Sequence, residues 1–224
     1  MRLVRRAGAE LVGTAFLVMA VVGSGIAATR LSPDDLALQL LVNSLVTGGV
    51  LVALILALQP VSAAFNPVVT MVERALGIVT TRELAMLVSA QFIGGCLGAV
   101  LANVMFDLNA VSLSTTERTG GPIWLAEVVA TIGLVIVIFG SLRTSRPEMV
   151  AYAVGGYITA AYWFTSSTSF ANPAVTVARM FSDTFAGIAP ASVPAFLLAQ
   201  LLGGAVALGL VTLLYPRPAE AEHV

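Results

Sequence analysis

The chain has 224 residues, of which 58% are hydrophobic and 10% charged, with a formal net charge of −1. A soluble domain usually carries about 25% charged residues, so a water-soluble fold is excluded, and the near-neutral balance gives no hint of nucleic-acid binding. A single cysteine rules out an intrachain disulfide, and the lone His223 leaves no His/Cys metal constellation.

A membrane helix needs about 20 mostly apolar residues, and six segments qualify or nearly do: 7–28, 35–58, 83–106, 122–142, 149–165 and 193–214. The predicted class is an all-α membrane protein with six transmembrane helices. The basic-then-apolar start, MRLVRRAGAELVG, could pass for a signal peptide. Its AEL string recurs later and no soluble stretch follows, so it reads as a retained first helix. The fifth segment looks short because the Ser/Thr-rich stretch after it runs on into residues 170–176. All eleven basic residues are Arg. With six spans and the N-terminus inside, Arg2, Arg5, Arg6, Arg74, Arg82, Arg143, Arg146 and Arg217 fall on the cytoplasmic side, and Arg30, Arg118 and Arg179 outside. That asymmetry is the positive-inside bias, with both termini cytoplasmic. Ala- and Val-rich coding with Arg in place of Lys suggests a bacterial inner membrane.

The chain repeats itself. AELVGT at 9–14 returns as AEVVAT at 126–131, NPVVT at 66–70 as NPAVT at 172–176, and AQFIGGCLGAV at 90–100 as AQLLGGAVALG at 199–209. Each half, about 7–106 and about 122–214, reads as span, span, Asn-Pro segment, span, within one channel domain over 1–224. Three spans per half is odd, so the second half enters from the opposite side, as an inverted repeat. The Asn-Pro segments are too short to cross and are expected to be re-entrant, buried in protein or lining water. Asn is a preferred N-cap and Pro a preferred first helical residue. Asn66-Pro67 and Asn172-Pro173 therefore mark the starts of two half-helices whose N-termini meet near the bilayer centre. Each brings about half a positive charge there, which repels cations and admits neutral dipoles. The asparagine oxygen caps the helix while its amide N–H groups remain to donate.

Glu10 and Glu127 hold equivalent places near the starts of spans one and four. A carboxylate within a span is a functional candidate by default; for Glu10 the bland alternative is an i, i+4 ion pair with Arg6. Gln91 and Gln200 read as polar glue between helices. Gly94, Gly98, Gly203 and Gly204, with the pairs Gly48-Gly49 and Gly155-Gly156, read as close-packing positions. Cys96, in GGCLG, reads as one more small packing residue.

Six spans, twin Asn-Pro half-helices, a repeated AE[LV] and a repeated AQxxGG together resemble the aquaporin family, also called major intrinsic proteins, over the whole length. The resemblance implies a passive, cofactor-free channel for small uncharged solutes, assembled as a homotetramer with one pore per subunit. It further implies that Glu10 and Glu127 hold the re-entrant loops. Two departures stand out. The first motif reads Asn66-Pro67-Val68 where Ala is usual, with a mild effect expected on permeation. The second, Asn172-Pro173-Ala174, is followed by Val175 where the family's water and glycerol channels have the Arg of the outer constriction. Counting back as the family does places the filter partners near Val46 or Thr47 and near Ala160 or Ala161. Arg179, one turn beyond Val175, is expected to guard the outer vestibule without forming the narrowest ring. The pattern resembles aquaglyceroporins of a bacterial arsenic-associated subgroup, which pass neutral trivalent and methylated arsenicals. The alternative class is an inverted-repeat secondary transporter. An enzyme is not expected, because no paired carboxylate, Ser–His or Cys–His arrangement is present.

Overall fold

The computed structural model describes residues 2–143 and 148–215, so the readings of Arg146, Arg217 and His223 lie outside the described residues. Eight α-helices follow in order: α1 (Arg2–Leu31), α2 (Leu36–Leu58), α3 (Pro67–Ala75), α4 (Thr81–Met105), α5 (Gly121–Leu142), α6 (Met149–Phe164), α7 (Pro173–Arg179) and α8 (Val193–Leu214). Five helices are long and apolar enough to cross a membrane. The sixth expected span, α6, has 16 residues and covers roughly 24 Å at 1.5 Å per residue. The chain then continues from α6 as extended and left-handed backbone to the second Asn-Pro pair.

Local sequence sets the helix ends. Asp35 caps α2 by accepting from the Leu38 N–H at 2.9 Å. Thr80 and Glu83 form a reciprocal capping box at the start of α4. The same Glu83 accepts from Arg6 at 2.8 Å, tying the starts of α1 and α4 together. That pairing takes Arg6 away from Glu10, so the i, i+4 alternative for Glu10 does not hold.

The inverted repeat is visible in the packing. Helix α1 lies on α4, its counterpart α5 lies on α8, and α2 meets α6 between the halves. Glycines set these distances. A Cβ on Gly94 or Gly98 would come within 2.2 Å of the Leu11 or Ala15 carbonyl oxygen of α1. In the other half, a Cβ on Gly203 would meet the Val128 carbonyl at 2.7 Å. Gly48 and Gly155, equivalent by the repeat, face each other's carbonyls at 2.8 and 2.7 Å across the α2–α6 contact. Their sequence neighbours Gly49 and Gly156 meet nothing, so only one glycine of each pair packs. Outward faces stay apolar, with Phe16, Leu125, Trp163 and Leu198 exposed, as lipid contact requires. Cys96 is half-buried on α4.

Candidate functional site

The two half-helices are short, at 9 and 7 residues, or roughly 10–14 Å, so neither crosses. Each starts as its sequence dictates. Asn66 accepts from the Val68 N–H at 3.0 Å, and Asn172 from the Ala174 and Val175 N–H groups at 3.0 and 3.3 Å, with proline first in each helix.

What brings the two starts together is a crossed clasp. The Asn66 Nδ2 donates to the Ala171 carbonyl at 2.8 Å, and the Asn172 Nδ2 donates to the Phe65 carbonyl at 2.7 Å. Those carbonyls point across because Phe65 and Ala171, the residues just before each asparagine, are left-handed, with φ of 48° and 47°. One N–H of each amide is thus spent on the clasp, and the other remains for the lumen. The sequence reading assigned both to a solute.

Behind each loop stands one carboxylate. Glu10 accepts from Ser62 Oγ at 2.6 Å, the Ala64 and Phe65 N–H groups at 2.9 and 2.7 Å, and Gln91 Nε2 at 2.8 Å. Glu127 accepts from the Phe170 and Ala171 N–H groups, both at 2.9 Å, and from Gln200 Nε2 at 2.6 Å. The glutamines reach on to Thr70 and Thr176, which donate to the Asn66 and Asn172 carbonyls. Glu10, Glu127, Gln91 and Gln200 are all fully buried.

Both asparagines line one cavity of about 270 Å³, which runs from Arg6, Glu73 and Ser62 at the end where α1 starts, past the clasp, to Tyr162 and Arg179 near the other. Most of its length is aliphatic, as at Leu51, Val154 and Ile158. Val175 and Thr47 are on the wall. Val46 is 40% exposed and points away. On α6 the expected register needs correcting. Ala160 faces outward and Ala161 is buried off the lumen, while Ile158 and Tyr162 line it. The count back from Asn172 fails because residues 165–171 are not a plain loop: Thr168, Ser169 and Ala171 are all left-handed. The four-residue spacing of Val154, Ile158 and Tyr162 was the sequence signal that could have found this face. The Tyr162 hydroxyl meets Thr47 Oγ1 at 3.1 Å.

Val68 does not line the cavity. Its bulk turns into α8, where Gly204 leaves room: a Cβ there would lie 2.4 Å from Val68 Cγ1. Arg179 sits one turn beyond Val175 on the same wall, but it is only 2% exposed and its Cζ lies 3.4 Å from the centre of the Phe170 ring. Its Nε donates to the Ala186 carbonyl. Arg179 is thus a buried member of the cavity wall. Sequence reasoning also missed Ser169 and Phe170, both on the cavity wall.

The family described as Major intrinsic protein matches residues 1–150. The chain belongs to the major intrinsic protein family. It is 51% identical over 210 residues, covering 93% of this chain and 89% of the other, to aquaglyceroporin AqpS of Rhizobium meliloti (strain 1021). Its fold is shared with the aquaglyceroporin from Plasmodium falciparum, with a TM-score of 0.75, 16% identity, and coverage of 96% of this chain and 98% of that one. As a major intrinsic protein the chain is a multi-pass membrane protein and a passive channel for small neutral solutes. The transporter alternative is not favoured.

Proposed function

We propose that this channel conducts glycerol-like polyols, water and neutral trivalent or methylated arsenicals, and excludes ions and protons. Asn66 and Asn172 present the central donors, Thr47, Tyr162 and Val175 shape the filter, and Glu10, Glu127, Gln91 and Gln200 hold the loops. The observation that carries the reading is the single cavity lined by both clasped asparagines and by the apolar Val175. A guanidinium at position 175 would bring five donors and a permanent charge. Valine brings neither, which favours uncharged solutes larger than water. The likeness of the SFANPAV and NPAVT strings to the arsenic-associated subgroup supports the arsenicals. Arg2, Arg5, Arg6, Arg74, Arg82 and Arg143 stand at the start of α1, the end of α3, the start of α4 and the end of α5, which supports cytoplasmic termini in a bacterial inner membrane. The apolar outer faces and the family resemblance support a homotetramer with one pore per subunit.

The test is stopped-flow light scattering on proteoliposomes with water, glycerol, urea and arsenous acid, comparing wild type with Val175→Arg. The substitution is expected to suppress glycerol and arsenous acid more than water. A wild-type channel that passes glycerol and excludes neutral arsenic(III) ends the arsenical assignment.

A further inference from the structure

We infer that Arg179 supplies this pore's fixed positive charge from one helical turn beyond Val175, and that Arg118, in the connection between the halves, is the positioning residue that holds it there. The inference rests on the channel reading and adds a charged group to a filter that the sequence leaves neutral.

Val175 and Arg179 share a helical face at i, i+4, and both line the cavity. Arg179 is held rather than free. Its guanidinium carbon lies over the ring of Phe170, itself a wall residue, and its Nε donates to the Ala186 carbonyl. Arg118 comes to the same place from the other side. Its Cζ lies 5.1 Å from the centre of the same Phe170 ring, its Nε donates to the Gly187 carbonyl at 2.8 Å, and an Nη donates to the Phe185 carbonyl at 3.3 Å.

Three consecutive carbonyls are therefore shared between two guanidiniums: 185 and 187 go to Arg118, and 186 goes to Arg179. The connection between the halves is stitched down around them. The Arg118 N–H donates to Ser192 Oγ at 3.0 Å, the Ala189 N–H to the Thr116 carbonyl at 2.7 Å, and the Ser114 N–H to the Met180 carbonyl at 2.9 Å. A Cβ on Gly187 would lie 2.3 Å from Ser114 Oγ, so the segment bearing the carbonyls has no slack on that side.

Among the described residues neither guanidinium forms an ion pair. Carbonyl dipoles and the ring face hold them, and the buried Glu127 acts on both guanidiniums without pairing with either, so a cation entering from this end meets two positive charges against one more distant carboxylate. Planarity sets the seat, since a lysine cannot both stack on Phe170 and donate from an in-plane nitrogen, but the field at the pore needs only the charge. Without Arg118, the 185–187 segment loses two of its donors, and the Ala186 carbonyl that orients Arg179 is no longer fixed.

The experiment uses full-length protein in proteoliposomes, with size-exclusion profiles checking folding, and reads the ratio of potassium leak to glycerol flux. Loss of a unit charge from the cavity wall, at an effective dielectric of about 20, sets the scale, so R179Q is expected to raise the ratio on the order of tenfold or more. R118Q is expected to raise it severalfold, and R118K to bring it most of the way back. R179K keeps the charge without the stack and is expected to hold the ratio near wild type, which also serves if R179Q does not fold. A ratio unmoved in folded R179Q and R118Q, or a leak through R179K, overturns the inference. Wild-type vesicles that pass glycerol no faster than empty ones overturn the channel reading itself.

Discussion

Gly204→Ala places a methyl group 2.4 Å from Val68 Cγ1, where an ordinary contact is 3.4 Å or more. About 1 Å must be found. Val68 is 2% exposed and sits two residues after Asn66, in the first turn of a half-helix capped by that asparagine. Its χ1 is stiff, so relief has to come from shifting α3 or α8. Overpacking of this kind costs about 1–3 kcal/mol. For a chain of this size, about 2 kcal/mol corresponds to a loss of roughly 4–8 °C in thermal midpoint. The repeat supplies an internal control. Gly95 is the equivalent position, and its Cβ would meet the Ala174 carbonyl at 3.1 Å, so Gly95→Ala is expected to be much milder. Gly94→Ala, with backbone at 2.2 Å, is expected to be worse than either. The decisive variant is the double mutant Val68→Ala/Gly204→Ala, which restores the alanine of the second motif and removes the clash. A coupling energy of about 2 kcal/mol, read as recovery of the midpoint in detergent by fluorescence-detected size exclusion, is expected. Glycerol flux per folded channel should follow stability and not the volume at position 68, since Val68 is off the lumen. If Gly204→Ala is as stable as wild type, or the double mutant is no better than the single, the reasoning about Val68 fails.

Glu127→Gln replaces an oxygen that accepts buried hydrogen bonds with an NH₂ group that cannot. Each charge-assisted bond is worth about 1.5–3 kcal/mol, so midpoint and flux are both expected to fall, and Glu10→Gln, with four donors to satisfy, should fall at least as far; a variant with wild-type midpoint and flux would remove the loop-support role. Asn66→Asp turns an oxygen toward the Ala171 carbonyl, now 2.8 Å from Nδ2. Loss of the clasp and a measurable cation current in planar bilayers are expected, and an ion-tight Asp variant would count against the dipole barrier. Tyr162→Ala removes the side chain that meets Thr47 at 3.1 Å, so the flux of four-carbon polyols should rise relative to glycerol in the stopped-flow assay. An unchanged ratio would place the constriction elsewhere.

The elements that could be read from sequence are those whose cause is local. Asn-Pro as cap and first residue places the starts of α3 and α7 to the residue, and the apolar runs place the long helices to within a few residues, apart from α1, which extends further at both ends. The repeat made Glu10 and Glu127 explain each other, because a role found for one had to suit both. What was not legible depends on backbone that breaks the expected pattern. Left-handed residues are usually glycine or asparagine, yet Phe65 and Ala171 carry the clasp, and nothing in their identity announces it. The register on α6 failed for the same reason, since the left-handed residues before Asn172 make a count along the chain meaningless there. Arg179 was found at the expected helical offset, but its seat is made by Phe170 and Ala186, which lie 9 and 7 residues away in opposite directions. No one-dimensional spacing brings those together.

The strain at the clasp and the two buried carboxylates are best understood as one device. A left-handed residue other than glycine costs roughly 1–2 kcal/mol, and here one stands immediately before each asparagine, with its carbonyl aimed at the opposite asparagine. The N–H groups of these same residues, Phe65 and Ala171, are the ones that donate to Glu10 and Glu127, at 2.7 and 2.9 Å. A bond to a buried carboxylate more than offsets the strain of the residue that makes it. Gly13 completes the seat in the first half, since a Cβ there would lie 2.0 Å from the Phe65 ring. Each asparagine amide is therefore fixed from two directions, by its own half-helix at the oxygen and by the opposite loop at the nitrogen. A solute reaching the centre meets donors that have no freedom left to lose, so binding there costs little reorganisation. The same rigidity keeps both asparagine oxygens turned into their helix caps, which leaves the centre with donors facing the lumen and no carboxylate to draw a cation in.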